Sequence, residues 1–421
     1  MSSKVLLTTT VGWSSVARLA HGFAAASCQV DAHAPLGALV FASRYVSGRY
    51  TYRALSPVDS LRHAIERSTP DMLVACDDRA VGHILRLYSE VSGDAPDVAQ
   101  LIERSLGEPS RYPRMISRAG FMACAKSLGI RVPVTRELSS AHDLDAFMRD
   151  FGLPIVLKAD GSWGGDGVVV ARSPAEALAA WHKLGRAPSR LRSLARAARR
   201  RDAHHLIAAV SPKPSVVSAQ QFVPGRPAAS AFACWKGEIV AAIYYDVLVA
   251  QGEIGPPNVI RRIDCPQMEA ASRKIARHHG LSGIHGMDFL RDPSGDVHLI
   301  EINPRVTQGS TLAFGPGRDL PAALAANLGP QAGMRTAIVG DTVAIFPREW
   351  QRDPASPWLR AAHHDVPWDD PAVLLASLRG VALPQQMQSP PGGSIAARAD
   401  RESRAVPVRD TGLTLPQRLK A

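Results

Sequence analysis

The chain has too few cysteines, spread too widely, for a disulfide framework. Cys28, Cys76, Cys124, Cys234 and Cys265 are odd in number and never spaced Cys-x-x-Cys, a usage that fits reduced thiols in a cytosol. It also lacks any run of about 18 apolar residues, which excludes an evident membrane span. The short Val5-Leu6-Leu7 run, followed by three threonines, Trp13 and Arg18, reads as a first β-strand and not as a secretory segment. No fixed-period repeat is present, and there is no Gly-Lys-Ser/Thr loop opening a helix and no glycine fingerprint followed by one. Histidines occur as adjacent pairs, His204-His205 and His278-His279, outside any His-Glu-x-x-His frame, so zinc is not expected. Aromatic content is only 6%, and Phe232, Trp235, Tyr244 and Tyr245 read as sheet packing. Acidic residues are also short: 38 against 49 Lys and Arg gives a net charge of +11, which favours anionic ligands without choosing among nucleotides, acidic metabolites, nucleic acid and membrane surfaces. Much of the excess lies in Arg186, Arg190, Arg192, Arg196, Arg199, Arg200 and Arg201. No aromatics interleave with them, so a solvated basic helix or mobile insertion is expected over a polynucleotide face.

What is present is a chain of 421 residues, 46% hydrophobic, too long for one core and suited to two or three domains. Its first hundred or so residues alternate short apolar runs with helical patterns: Val5 to Leu7, Ser14 to Ala26, Leu36 to Phe41, Pro57 to Arg67, Met72 to Cys76. That is α/β cadence. Asp77, Asp78 and Arg79 then sit where an open α/β sheet meets ligands, or cap the next helix. A Pro-rich join near Glu108 to Pro113 marks a boundary. Helices follow at Ser117 to Leu128 and Ala141 to Asp150, then β texture at Pro154 to Lys158, Ser215 to Val223 and Phe232 to Val249, with a hairpin turn at Lys236-Gly237. A helix spans Gln267 to His279, and a disordered tail is expected beyond about residue 385.

The sharpest chemical signal is Met287 to Arg305, two apolar strands joined by a Pro-Ser-Gly turn, each carrying a carboxylate. A turn centred between Ser294 and Gly295 sets Asp288 opposite Glu301, with Cβ atoms about 5 Å apart. Two buried carboxylates that close cannot both stay ionised alone. Asn303 shares the face of Glu301, and the three together suit a hard divalent cation such as Mg²⁺. Upstream, Lys158 ends a strand and Gly161-Ser162-Trp163-Gly164-Gly165-Asp166-Gly167 leads to Val168-Val169-Val170. This is a hairpin tip whose backbone N–H groups could close over phosphates, with Lys158 as a point charge below. Ala219-Gln220-Gln221-Phe222-Val223-Pro224-Gly225 is a strand ending in a turn, offering amides and glutamines to an adenine ring.

In this order, the helix led by Arg118, Lys158 with its glycine hairpin, Gln220 to Gly225, and then Asp288, Glu301, Asn303 and Arg305 resemble the ATP-grasp superfamily across roughly residues 113 to 330. Glu301-Ile302-Asn303-Pro304-Arg305 is close to that family's Glu-hydrophobic-Asn-Pro-Arg signature. The segment from Val306 to Leu320 is similar to relatives of carbamoyl-phosphate synthetase and of carboxylate–amine ligases. The resemblance implies an α/β protein: a pre-ATP-grasp, Rossmann-like N-terminal domain (1–112), then a two-lobed α+β ATP-grasp domain (113–335) with a lid lobe (113–218) and a metal-binding lobe (219–335), a C-terminal extension (336–385) and a tail (386–421). It implies ATP held by Arg118, Lys158, Gly161, Ser162, Gly164, Gly165, Gly167, Gln220, Gln221 and Val223, and one or two Mg²⁺ ions, with Mn²⁺ as a substitute, on Asp288, Glu301 and Asn303. As catalytic residues, Lys158 would contact the α- and β-phosphates and Arg305 would steady the phosphoryl group in transfer or the acyl phosphate. The implied activity is ADP-forming ligation of a small-molecule carboxylate to an amine. The alternatives are carboxylation, ligation to another nucleophile, a nucleotide sensor, or a nucleic-acid-binding module. Three residues depart from the family pattern: Arg118 stands where Lys is common, Pro227 where an acid often meets the ribose, for which Asp246 could substitute, and Asp166 puts negative charge in the phosphate loop.

Overall fold

The computed structural model describes residues 2–378 apart from 92, 94, 162–166, 188, 192, 194–209, 211–213, 253 and 330–332. The expected tail and most of the arginine-rich stretch therefore lie outside the described residues. Strands β1 (Lys4–Thr8), β2 (Gln29–Ala34), β3 (Gly48–Thr51) and β4 (Met72–Ala75) form a parallel sheet of order β3-β2-β1-β4. Helices α1 (Ser14–Ala25), α2 (Pro57–Ser68) and α3 (Asp78–Val91) connect and cover it. Val5, Leu6 and Leu7 are all fully buried, because a parallel sheet is covered on both faces and its strands become continuous apolar runs.

One expected strand is corrected. Leu36 to Phe41 is not extended; Pro35 and Gly37, with its φ of +80°, break the chain, and Leu39–Ala42 makes a 3₁₀ turn. The strand lies earlier, at β2, where polar residues hide it. Asp31 is buried but accepts from Ser68 Oγ at 2.7 Å and Gly48 N at 2.7 Å. His33 sits between Thr8 Oγ1 at 3.0 Å and Ser60 Oγ at 3.2 Å, and burial pulls its pKa down to about 3. Buried polar groups are tolerated when paired in this way.

Helices α4 (Pro96–Leu106), α5 (Tyr112–Ile116) and α6 (Arg118–Ser127) follow. An antiparallel sheet of order β5-β8-β6-β7 is then made by β5 (Thr135–Leu138), β6 (Ile155–Ala159), β7 (Val168–Ala171) and β8 (Val217–Gln221). Its Ile155, Leu157, Ala171 and Ala219 pack in a core with α7 (Ala141–Phe151) and α8 (Pro174–Gly185). With a side-chain period of two, Lys158, Ser218 and Gln220 turn to the other face.

The third sheet has seven strands, β9 (Arg226–Trp235), β10 (Glu238–Ala250), β11 (Pro257–Ile263), β12 (Gly283–Arg291), β13 (Val297–Asn303), β14 (Thr342–Ala344) and β15 (His363–His364), in the order β13-β12-β9-β10-β11-β14-β15. Helix α9 (Pro266–His279) shares one core with α4, α6 and the Met287, Phe289, Leu299 and Ile302 side chains. The opposite face shares a core with α1 and the helix Leu320–Ala325. Helix α6 thus packs on the large sheet, which brings its first residue, Arg118, towards β13. Among the described residues no helix is long and apolar enough to cross a membrane.

Candidate active site

The acidic hairpin closes over Asp292, whose Oδ1 accepts from Ser294 N and Asp296 N, both at 3.0 Å, while Gly295 takes a φ of +88°. From this turn the register runs Arg291↔Val297, Leu290↔His298, Phe289↔Leu299. Continued without a fault, it would set Asp288 against Ile300. A bulge at Ile300 shifts it, and Asp288 pairs with Glu301 and Gly286 with Asn303. The expected opposition is therefore present, produced by the bulge and not by the turn. The bulge also changes faces: Leu299 is fully buried in the core while Glu301, two residues on, is half-buried at the cleft.

Burial and the charge of Glu301 push the Asp288 carboxyl up to about 6, against the pull of Asn303, Arg305 and Lys158. Asn303 Nδ2 donates to Asp288 Oδ2 at 3.0 Å, and Asn303 Oδ1 accepts from Arg305 Nη2 at 3.0 Å. Arg305 Nε donates to Asp78 Oδ2 at 2.8 Å, and its guanidinium lies 5.5 Å from the Trp13 ring centre. Arg118 Nη1 reaches Glu301 Oε2 at 2.9 Å, and Arg118 Nε is 3.6 Å from Asp160 Oδ1. Burial raises the Asp160 carboxyl as well. Lys158, 5% exposed, donates to the carbonyl of the bulged Ile300 at 3.3 Å. Burial lowers it to about 8, with Arg118 helping and Glu301 and Asp288 opposing. Asp288 and Glu301, with the Asn303 amide oxygen held by Arg305, offer a set of oxygens in which burial and the paired charge raise the Asp288 carboxyl. Such a set fits a hard dication.

A cavity of about 90 Å³ joins Asp78, Arg118, Thr135, Lys158, Gly161, Gln220 and Glu301, with Met115, Phe121 and Pro304 as apolar wall. Asp288, Asn303 and Arg305 adjoin it through their hydrogen bonds. Gln220 Nε2 donates to Thr135 Oγ1 at 3.0 Å. Gly161, at φ +72°, and Gly167, whose carbonyl accepts from Ala159 N at 2.8 Å, flank the β6–β7 connection. Ser162, Gly164, Gly165 and Asp166 lie outside the described residues.

Gln221 pairs with Ile155, a residue of the helix-covered face, so its side chain turns away from Lys158, and Val223 lies just beyond the end of β8. One expectation is corrected. Asp246 cannot serve a nucleotide at this cleft. In the register Asp288↔Ala229↔Tyr245 it is Tyr245 that shares the face of Asp288, and Asp246, on the other face, accepts from Arg291 at 2.7 Å. Of the acidic pair after β4, Asp77 is the cap, accepting from Thr10 N at 2.6 Å and Ala80 N at 3.0 Å, and Asp78 the cleft residue. Thr135, Asp160 and Trp13 were not singled out by the sequence. Asp160, two residues after Lys158 and just before Gly161, is the one whose position could have been noticed.

No family model matches the chain. Carboxyaminoimidazole ribonucleotide synthase from Aspergillus clavatus, solved with ATP, superposes with a TM-score of 0.56 at 14% identity, covering 79% of each chain. The chain has the ATP-grasp fold. The ATP-grasp architecture is matched again in biotin carboxylase from Campylobacter jejuni, with a TM-score of 0.55 at 13% identity over 78% of this chain and 71% of that one. In sequence, D-alanine–D-alanine ligase B of Chromobacterium violaceum is 27% identical over 191 residues. The matched part is 42% of this chain, and it spans about half, 53%, of that ligase.

Proposed function

We propose that the protein is an ATP-dependent, ADP-forming ligase that activates a small-molecule carboxylate as an acyl phosphate for attack by an amine. The observation that carries this reading is the facing pair Asp288–Glu301, backed by Asn303 and flanked by two fixed cations, Lys158 and Arg305. In this reading residues 1–112 are a Rossmann-like pre-ATP-grasp domain, 113–335 the ATP-grasp domain with lid and metal-binding lobes, and 336–385 an extension whose β14 lengthens the large sheet by pairing with β11. ATP lies in the cleft with its phosphates near Lys158, Arg118 and the loop from Gly161 to Gly167, and its adenine near Gln220 and the backbone of Gln221 to Val223.

Asp288, Glu301 and Asn303 would hold one or two Mg²⁺ ions, or Mn²⁺ in their place. The bound ion would supply charge neutralisation between phosphate oxygens and an anionic substrate. The chain's own residues position the reactants. A pKa near 8 leaves Lys158 mostly cationic at neutral pH, and its hydrogen bond to the Ile300 carbonyl aims it across the cleft. Arg305 is locked by Asp78, Asn303 and the Val306 carbonyl, so its guanidinium meets developing phosphoryl charge without reorganising. A carboxylate oxygen then bonds to the γ-phosphorus as ADP leaves, and the amine displaces phosphate from the acyl carbon.

A second reading makes bicarbonate the activated carboxylate. It is supported by neighbours that include a synthase solved with ADP and aminoimidazole ribonucleotide and a carboxylase domain solved with MgADP and bicarbonate. One assay separates the two: phosphate release from MgATP, screened against amino-acid and other carboxylate–amine pairs and against bicarbonate with each amine, with products identified by mass spectrometry. Release that needs both a carboxylate and an amine supports the first reading, and release with bicarbonate alone as the acid supports the second. Release by Glu301→Ala at the wild-type rate would overturn both.

A further inference from the structure

Outside the cleft, one cluster gathers metal-ligating atoms that no step above uses. Cys124 lies in the middle of α6, and His278 and His279 end α9, where Gly280 in the left-handed region stops the helix. One ligand atom from each of the three lies within 4.8 Å of the other two. We propose that Cys124, His278 and His279 form a second metal site that takes a borderline-soft dication of the Zn²⁺ class.

The geometry is close to what such an ion needs. Cys124 Sγ is 3.7 Å from His279 Nε2. Sulfur and nitrogen bound to one tetrahedral zinc, at about 2.3 and 2.05 Å, lie about 3.6 Å apart. Both side chains are already buried, Cys124 at 8% exposure and His279 at 2%, so little ordering remains to be done. The other ring nitrogen of His279, Nδ1, is buried without a hydrogen-bond partner, so the ring's polar contact is with the Cys124 sulfur, the atom with which Nε2 would share the ion. His278 is exposed, its ring 4.9 Å from that of His279 and nearly perpendicular to it. It is free to swing a nitrogen onto an incoming ion, and its exposure provides the entry path. Water would complete a four-coordinate site.

The donor set sorts this site from the cleft. Thiolate and imidazole select zinc, copper or cobalt, whereas the carboxylates and amide of the hairpin select Mg²⁺. Arg111, which donates to the His278 carbonyl, and Arg114 are the cations nearby. They oppose a dication; burial raises the Cys124 thiol and Arg114 only partly offsets that, so the ion itself must favour the thiolate that binds it. An ion here would pin α6, whose first residue is Arg118, to the end of α9.

The test uses the full chain stripped of metal and titrated with Co²⁺ as a visible stand-in for Zn²⁺. One equivalent should bind with a thiolate-to-cobalt charge-transfer band, be displaced by Zn²⁺ and resist millimolar Mg²⁺. Cys124→Ser should abolish the band and weaken binding at least about 100-fold, more than the loss of a supporting group costs. His278→Ala, an exposed change that spares the core, should weaken it about 10-fold, and it carries the test if the serine variant fails to fold. Zn²⁺ should raise the thermal midpoint of the wild type and leave that of Cys124→Ser unchanged. Absence of the band, its persistence in Cys124→Ser, unaltered affinity in His278→Ala, or displacement by Mg²⁺ would each overturn the assignment.

Discussion

Asp288, Glu301 and Asn303 stand on one hairpin, whereas Lys158, Gln220, Arg118 and Asp78 reach the same cleft from four different elements, β6, β8, α6 and α3. The acidic wall is local. Its register is set by one turn and one bulge, and its strands are zipped by neighbours close in sequence, so little loop-closure entropy is spent in forming it. The cationic wall is assembled at long range: 227 positions separate Arg305 from Asp78, and 142 separate Lys158 from Ile300. The charges of the two walls answer each other, with Arg118 on Glu301 and Lys158 depressed by burial beside both carboxylates. A site divided in this way keeps its carboxylate pair in place while the other wall, joined to it through a few polar contacts, is freer to shift.

If the acidic wall is the reactive one, Glu301→Ala should have the largest effect: turnover down by at least about 10²–10³-fold with an unchanged circular dichroism spectrum. The cationic wall is tested next by Lys158→Met. Loss of a charge-assisted contact to phosphate should weaken nucleotide binding by roughly 10–100-fold in calorimetry, and Lys158→Arg should not restore it, because a planar guanidinium does not fit the space of a buried ammonium. Asp78→Asn frees Arg305 from its far partner. It should lower kcat by about 10-fold and leave nucleotide affinity within about twofold, because Asp78 acts through Arg305. Equal loss in both quantities would mean that Asp78 instead shapes the nucleotide pocket.

The smallest effect concerns stability. The Asp288 pKa is raised in the fold to about 6, so between the ordinary carboxylate range and that value the folded state binds the extra proton. Its penalty on the metal-free fold is complete above about pH 6 and fades as the pH falls towards about 4. Asp288→Asn should therefore raise the metal-free thermal midpoint at pH 7 by about 1–3 °C and remove the gain that Mg²⁺ confers. In the wild type, apparent Mg²⁺ affinity should fall as pH drops through about 6, where protons compete for the same oxygen. A flat profile would place the ion elsewhere than on this carboxylate.

The elements with clear periodicity were legible in the chain: α6 and α9 from their amphipathic spacing and stops, β9 and β10 from their apolar texture on either side of Lys236-Gly237. Strand β2 was not, since its Asp31 and His33 look like loop residues until Ser68, Gly48, Thr8 and Ser60 are seen to satisfy them. In the cleft, the opposition of Asp288 and Glu301 could be read, but the bulge at Ile300 could not, because nothing in an apolar Leu-Ile-Glu-Ile run marks which residue is extra. Gln220 and Gln221 are identical in type and adjacent; only the pairing of β8 with β6 decides which one faces Lys158.

The sequence by itself determined the acidic hairpin, the lysine at its strand end, the glycine-rich connection and the α/β cadence, since each is written in residues a few positions apart whose spacing follows backbone geometry. Tertiary structure alone decided that Asp78 holds Arg305, that Arg118 meets Glu301, that Asp246 turns to the opposite face, and that Cys124 lies against two histidines. Those pairings join segments more than forty residues apart, and which distant segments meet is set by how sheets and helices bury their apolar faces together.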